Sequence, residues 1–380
     1  MGVVRTLILS GGGGRGAFHA GVYNYLCQPS KPGVDERHQG VWRPDIVVGT
    51  SIGAVNGAAI VQGTSAEELA AFWRNLRERD IEGLPPGMTA FARAAINLVM
   101  RGLIGVRLPA ADRASATSPA VGAGFSPAPR LGKLGDWLLG RWSSLLDTGP
   151  LSRTLVERLA LDEAKINSAG QTLLINATNV SSGQRVTFSN RPVRKQGGAL
   201  RADVIEGISI QRILASCSIP MVYPWTHDKA SNAYYWDGAV VNNTPIGVAV
   251  DAAHLDVDDV MEAIVVMMTP WRDSGEDTQP EQPMPRDFEE AITWALDWTL
   301  LASFRERLDL INAYNRLARL GRETGDLSLA GFREVRVTII APDKFIPAAR
   351  IIDYDMQLND LIEMGEQAAR RAFIKDYPGG

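Results

Sequence analysis

The sequence predicts an α/β protein whose sheet is parallel and carries helices packed against it. Two observations support this. Val3 to Ser10 is an apolar, β-branched run that breaks at the glycine stretch Gly11 to Gly16 and resumes at 3–4 spacing through Ala17, Phe18, Ala20, Gly21, Val22, Tyr25 and Leu26. Asp45 to Val48 then runs into Gly49-Thr50-Ser51-Ile52-Gly53 and a small-residue helix from Ala54 to Val61. Two successive strand–turn–helix units imply parallel strands, because each return to the sheet is made through a helix.

The remaining elements follow in order. A helix after Ser65 carries Leu69, Phe72, Trp73 and Leu76. Residues 81–150 read as an insertion, with apolar segments Phe91 to Val106 and Leu134 to Leu146 flanking the Ala/Ser/Pro/Gly stretch Pro109 to Pro129. Few large apolar residues offset the entropy of ordering that stretch, so a flexible loop is expected. The flanking segments suit either a lid or lipid-facing surface, or helices packed on the core. A helix from Leu151 to about Leu161, a strand from Gln171 to Thr178, and a hairpin partner from Arg185 to Ser189 come next. Then follow a helix from Ile205 to Cys217, a short strand through Tyr234, Tyr235 and Trp236, a helix around Ile246 to Ala253, and a strand from Ala263 to Met268. The Pro-rich run 272–286 reads as a loop. Residues 287–380 read as an extension of the same single domain: a long amphipathic helix capped by Asp287 and Glu290, with Leu301, Phe304, Leu308 and Ile311 on one face, a strand from Glu334 to Ala341, and a last helix from Leu358 to Phe373.

Hydrophobic content of 45% and charged content of 22% argue against disorder, and a net charge of −4 argues against a nucleic-acid partner. Cys27 and Cys217 lack metal-ligand spacing and are expected reduced and buried. No signal-length apolar stretch opens the chain and no segment reaches roughly 18 uncharged apolar residues, so a cytoplasmic protein is expected.

The chemistry concentrates in three places. Gly49-Thr50-Ser51-Ile52-Gly53 has the form of a nucleophile elbow, a tight strand-to-helix turn whose glycines remove side chains that would clash; the alternative is Ser51 as a plain helix N-cap. Gly11, Gly13 and Gly16 fit a dinucleotide loop, but the next strand does not end in the acidic residue that such a loop requires. A P-loop is excluded by Ala17 and Phe18, which stand where Lys and Ser/Thr belong. The third reading is a cradle of backbone N–H groups for an oxyanion formed on Ser51, with the Ile52 N–H contributing. Asp237 ends an apolar strand just before Gly238, where a partly desolvated carboxylate can act as general base; a simple Asp-Gly turn is the alternative. The four histidines, His19, His38, His227 and His254, read as ordinary surface or core residues.

Together these residues resemble the patatin-like phospholipases. Gly11-Gly12-Gly13-Gly14-Arg15-Gly16 fits that family's G-G-G-x-R-G loop, Gly49 to Gly53 its G-x-S-x-G elbow, Asp237-Gly238-Ala239 its D-G-G/A motif, and Ala215-Ser216 with Pro220 its A-S-x-x-x-P block. The resemblance implies a three-layer α/β/α sandwich with a mainly parallel central sheet. It also implies a Ser51–Asp237 dyad and an oxyanion hole from Gly11, Gly12, Gly13, Gly14 and Ile52. Arg15 and Gly16 would support the loop, Arg15 alternatively meeting a head-group phosphate. The expected activity is lipid acyl-ester hydrolysis with peripheral membrane contact, without metal or cofactor. Two other functions stand beside it: a catalytically silent lipid-binding module, and a nucleotide-binding protein using the Gly11 to Gly16 loop.

Overall fold

The computed structural model describes residues 2–31, 39–81, 83, 144, 146–195, 197–256, 258–271, 284–286, 288–329, 331–351, 354 and 358–373. Most of the 81–150 insertion with its expected lid, most of the 272–286 loop, His38 and Asp287 lie outside the described residues.

The first strand, β1 (Val3–Leu9), leads through a 3-10 turn (Gly13–Gly16) into α1 (Ala17–Leu26). Then come β2 (Ile46–Thr50), α2 (Ile52–Gln62), α3 (Ala66–Asn75) and α4 (Glu78–Ile81). After the insertion the chain forms α5 (Gly149–Glu157), α6 (Glu163–Ser168), β3 (Thr172–Asn179), β4 (Arg185–Ser189) and β5 (Val204–Glu206). It continues through α7 (Ile210–Ser216), β6 (Thr226–Asp228), β7 (Ala233–Asp237), α8 (Ile246–Ala252) and β8 (Val260–Val266). The C-terminal part is α9 (Phe288–Thr324), β9 (Glu334–Ile340) and α10 (Leu358–Phe373).

Among the described residues nine strands form one sheet, with the path β5-β4-β3-β2-β1-β8-β9 and with β6 and β7 off it. The run from β3 through β2, β1 and β8 to β9 is parallel throughout. Alternation along these strands builds two cores. Leu7, Leu9, Val47, Leu173 and Ile175 face one way, against α1, α2, α3 and α10. Ile8, Ile46, Val48 and Leu174 face the other, against α8 and α9. The expected three-layer α/β/α sandwich is therefore the observed one. Its central strands are buried on both faces, as parallel strands between helix layers must be.

Three local expectations differ from the structure. Val204 to Glu206 pairs with β4 as a strand, and the expected helix from Ile205 begins only at Ile210. Gly207, at φ +95°, breaks the chain between the two, and Ser209 caps the new helix through its Oγ, which accepts from Arg212 N at 3.2 Å. The Glu290 carboxylate accepts from the Arg286 N–H and pairs with the Arg286 guanidinium, so it binds the chain just ahead of α9. Cys27 and Cys217 are both free thiols, but only Cys217 is buried, Cys27 being partly exposed.

Residues 288–373 are built into this sandwich. β9 pairs with β8 along its whole length, and α10 lies on α1 with their backbones in contact. A Cβ on Gly365 would fall inside contact distance of the Phe18 carbonyl, and one on Gly21 would meet that of Ile362. On an exposed helix Gly→Ala stabilises by about 1 kcal/mol. Here the sign reverses: Gly365→Ala is expected to lower unfolding free energy by about 1–3 kcal/mol in urea titration, as overpacking does. A neutral or stabilising result would mean that α10 does not dock on α1 in this way.

Candidate active site

The position of the site is set by one edge of β3. β2 runs parallel to β3 and ends with Thr50 opposite Asn176. β7 runs antiparallel along the same edge and ends with Asp237 opposite Ala177. β4 occupies the other edge over Leu174 to Thr178, so the C-terminal ends of β2 and β7 approach each other head-on. Ser51, one residue beyond Thr50, thus arrives beside Asp237.

Ser51 sits at φ 55°, ψ −126° as the N-cap of α2, a conformation that costs a non-glycine residue on the order of 1–3 kcal/mol. The turn is held from several sides. The Ser51 N–H donates to Ser216 Oγ at 2.8 Å, and that hydroxyl donates to the Asn176 carbonyl at 2.6 Å. A Cβ on Gly53 would run into the Leu9 carbonyl, and one on Gly49 into the Gly53 carbonyl. Both elbow glycines are therefore required by close backbone approach. The N–H of Ile52, in the first turn of α2, has no partner inside the helix, and the positive end of the helix dipole lies there.

The glycine loop leaves β1 directly over this turn. A Cβ on Gly11 would come within 3.0 Å of Ser51 Cβ. The Gly11 N–H itself donates to Asn243 Oδ1 at 2.7 Å, so Gly11 anchors the loop and is not a free oxyanion donor, contrary to expectation. Gly12 is the N-cap of the 3-10 turn Gly13–Gly16. The N–H groups of Gly12, Gly13 and Gly14 therefore have no partner within the turn. Gly16 supports the far end, its carbonyl accepting from Asn56 Nδ2 at 3.0 Å.

Arg15 differs from one of its two expected roles. Its side chain is 1% exposed and its Nη1 donates to both carboxylate oxygens of Asp297, at 3.0 and 3.1 Å. It supports the loop from beneath and cannot meet a head group in solvent.

Asp237 is buried, and its Oδ1 accepts from the Ala239 N–H at 2.8 Å. Burial pushes its carboxyl up to about 7, with hydrogen bonds from the Ser51 hydroxyl and the Ala239 N–H pulling partly against it. The following Gly238 lies so close to Asn176 that a Cβ would strike its carbonyl. The Asn176 amide in turn donates to the carbonyls of Gly238, at 3.2 Å, and Asn242, at 2.5 Å. Asn176 therefore braces both the elbow, through Ser216, and the turn after Asp237.

No described histidine hydrogen-bonds Ser51 or Asp237. His19 is fully buried against Asn56 and pushed down to about 3, His227 stacks on Tyr234, and His254 is exposed. Among the described residues no group of three or more His, Cys, Asp or Glu could hold a metal, and no helix is long and apolar enough to cross a membrane.

The sequence reading missed Asn176, Asn243, Asn56 and Asp297. Asn176 had a visible signal, a polar residue inside the apolar run Leu173-Leu174-Ile175. Asn243 and Asp297 had none, because their partners are more than 200 residues away in the chain.

The model of the patatin-like phospholipases matches residues 7–250, well over half of the chain. Among solved structures, VipD from Legionella pneumophila is similar at 13% identity with a TM-score of 0.39, over 97% of this chain and 66% of that one. This chain thus spans just under two thirds of that neighbour's length. No curated protein matches it in sequence. The matched segment contains the glycine loop, the Ser51 elbow and the Asp237 turn, and the chain belongs to the patatin-like phospholipase family, a family of lipid acyl hydrolases.

Proposed function

We propose that the protein hydrolyses carboxylic esters of lipids, phospholipids or lysophospholipids, through a Ser51 acyl-enzyme with Asp237 as general base. One observation carries this reading: strand register sets a serine held at positive φ beside a buried carboxylate whose proton affinity burial raises to about 7. An ordinary N-cap needs neither the strain nor the buried charge.

In the first half-reaction Asp237 accepts the Ser51 hydroxyl proton as Oγ attacks the ester carbonyl. The carbonyl oxygen becomes an oxyanion, and donors about 3 Å from it stabilise the transition state. The N–H groups of Gly12 to Gly14 and of Ile52 are the candidates for that role. Collapse of the intermediate breaks the bond to the leaving alcohol, which takes the proton from Asp237. In the second half-reaction Asp237 accepts a proton from water as it attacks the acyl group, and then returns that proton to Ser51 as the fatty acid leaves. A carboxylate with a pKa near 7 suits both directions of transfer, since a base matched to the working pH gives and takes a proton with similar ease.

The nucleotide alternative finds less support. A pyrophosphate in the glycine loop would be held by its backbone N–H groups, and the Gly11 N–H is already engaged by Asn243, while Arg15, neutralised by Asp297, adds no free charge. Gly13, at φ +58°, packs against the Ile351 carbonyl, which turns an electronegative atom toward that side of the loop.

Ser51→Ala and Asp237→Asn are each expected to cut release of fatty acid from defined glycerophospholipids at least ~10³-fold with an unchanged circular dichroism spectrum. Labelling by a fluorophosphonate should be present in the parent and absent in Ser51→Ala. Turnover near the parent's in either variant would exclude the dyad, and a parent that takes no label would favour the silent lipid-binding module.

For the parent, kcat/KM on a soluble ester should fall about tenfold per pH unit below about 7, as the base is protonated. A limb centred near 4, where an ordinary aspartate titrates, would mean that burial does not raise the Asp237 carboxyl in the folded protein.

Stability should move oppositely to activity. The folded-state pKa of Asp237 lies above its unfolded value, so the folded protein binds this proton more tightly. That contribution is complete below the unfolded value of 3.8 and is lost as pH rises through about 7. Asp237→Asn, which cannot ionise, should therefore be more stable than the parent at pH 8, by on the order of 4 kcal/mol at most, and the gain should shrink toward pH 4. Denaturant titrations at the two pH values measure the difference; equal gains at both would contradict it.

A further inference from the structure

Arg15 contacts the glycine loop at the Gly12–Gly13 peptide, which carries one of the candidate oxyanion donors. The Gly12 carbonyl accepts from the Arg15 N–H at 3.2 Å and from Arg15 Nε at 3.4 Å. In a planar trans peptide the C=O and the following N–H point in opposite directions, so fixing the Gly12 carbonyl toward Arg15 turns the Gly13 N–H the other way. Between two glycines such a peptide rotates at little steric cost, because neither residue is confined to negative φ. The Arg15 N–H holds it from within the turn, and the Arg15 side chain adds a second hold from outside the loop backbone.

That hold originates in α9, outside the segment matched by the family. Asp297 is 1% exposed, and its carboxylate binds Arg15 Nη1 through both oxygens. The Thr269 hydroxyl also donates to it, and the Met268 carbonyl accepts from Arg15 Nη1 at 3.5 Å. Trp294, about one turn before Asp297, and Trp298, the residue after it, pack on Phe345 and fix the helix at that level. A buried ion pair is weak as a source of stability, since desolvation cancels much of its attraction. Its evident effect here is geometric.

We propose that Asp297 is a positioning residue for ester hydrolysis, acting through Arg15 to keep the Gly12–Gly13 peptide turned so that its N–H serves the oxyanion on Ser51. The inference rests on the hydrolase reading above. Asp297→Asn keeps the shape and drops the charge. The double variant Arg15→Met with Asp297→Leu removes the pair without leaving a buried unpaired charge. Both are assayed in the full chain on p-nitrophenyl butyrate, with circular dichroism melting and the inhibition constant of an alkyl boronic acid, which forms a tetrahedral adduct on serine.

Expected are a fall in kcat of about 100-fold, KM within about threefold of the parent, and boronate affinity weakened in proportion to kcat. The double variant should melt at or above the temperature of Asp297→Asn and still be slow. A folded double variant that turns over at the parent's rate would overturn the proposal. So would activity that is lost only in proportion to the unfolded fraction. Absence of fluorophosphonate labelling in the parent would instead defeat the hydrolase reading, whereas a labelled parent with unimpaired variants defeats the role of Asp297 alone.

Discussion

Two strands converging on one edge of β3 are the constraint on which the site depends. Because Thr50 pairs with Asn176 and Asp237 with Ala177, Ser51 and the Asp237 carboxylate are neighbours by sheet register, before any side chain is considered. Register in a buried sheet is strongly specified, since a one-residue slip would turn every apolar side chain of β2 or β3 to the wrong core. The hydrophobic alternation that folds the protein therefore also sets the spacing of its chemistry. Asn176, at the junction, reinforces it by bonding directly to the turn after Asp237 and, through Ser216, to the Ser51 elbow.

The strain at Ser51 and the buried charge at Asp237 are both unfavourable to folding, and each is offset nearby. A backbone conformation costing a few kcal/mol persists only where the surroundings leave no alternative. Here the Ser216 hydroxyl takes the Ser51 N–H, and the Gly53 backbone lies hard against the end of β1. For Asp237 the offset is only partial: one N–H and one hydroxyl answer its burial, and its proton affinity stays high. Complete satisfaction would lower the pKa and, under the proposed mechanism, leave a carboxylate too weak to take a proton from serine. The unfavourable term is thus the source of the basicity.

These facts explain what was legible in the sequence. Ser51 and Asp237 could be read because each lies at a strand end marked by glycine, a local pattern, and the long strands and final helix because their periodicity is local too. The short strands β5 and β6 span three residues each, too few to show a period, and Gly207 ended a helix pattern that otherwise ran smoothly from Ile205. Arg15 could be placed at the loop but not oriented. Its partner lies 282 residues away on a helix that looks amphipathic and otherwise unremarkable in sequence, and nothing local distinguishes an arginine facing solvent from one buried on a carboxylate.

The segment shared with the family is therefore not self-sufficient in this chain. β1, which carries the glycine loop, pairs with β2 on one side but along its full length with β8 on the other, and β8 lies beyond residue 250. The Ser10 N–H, at the start of the loop, donates to Val266 at the end of β8. Without β8 and β9, β1 would be an open edge with unpaired N–H and C=O groups, and the loop would lose both this anchor and the Asp297 tie. The C-terminal third holds the loop from the strand below and the helix behind, while the family segment supplies the serine and the acid. The loop lies at the boundary between the two, so a displacement of α9 would reach Ser51 through a single ion pair and one peptide plane.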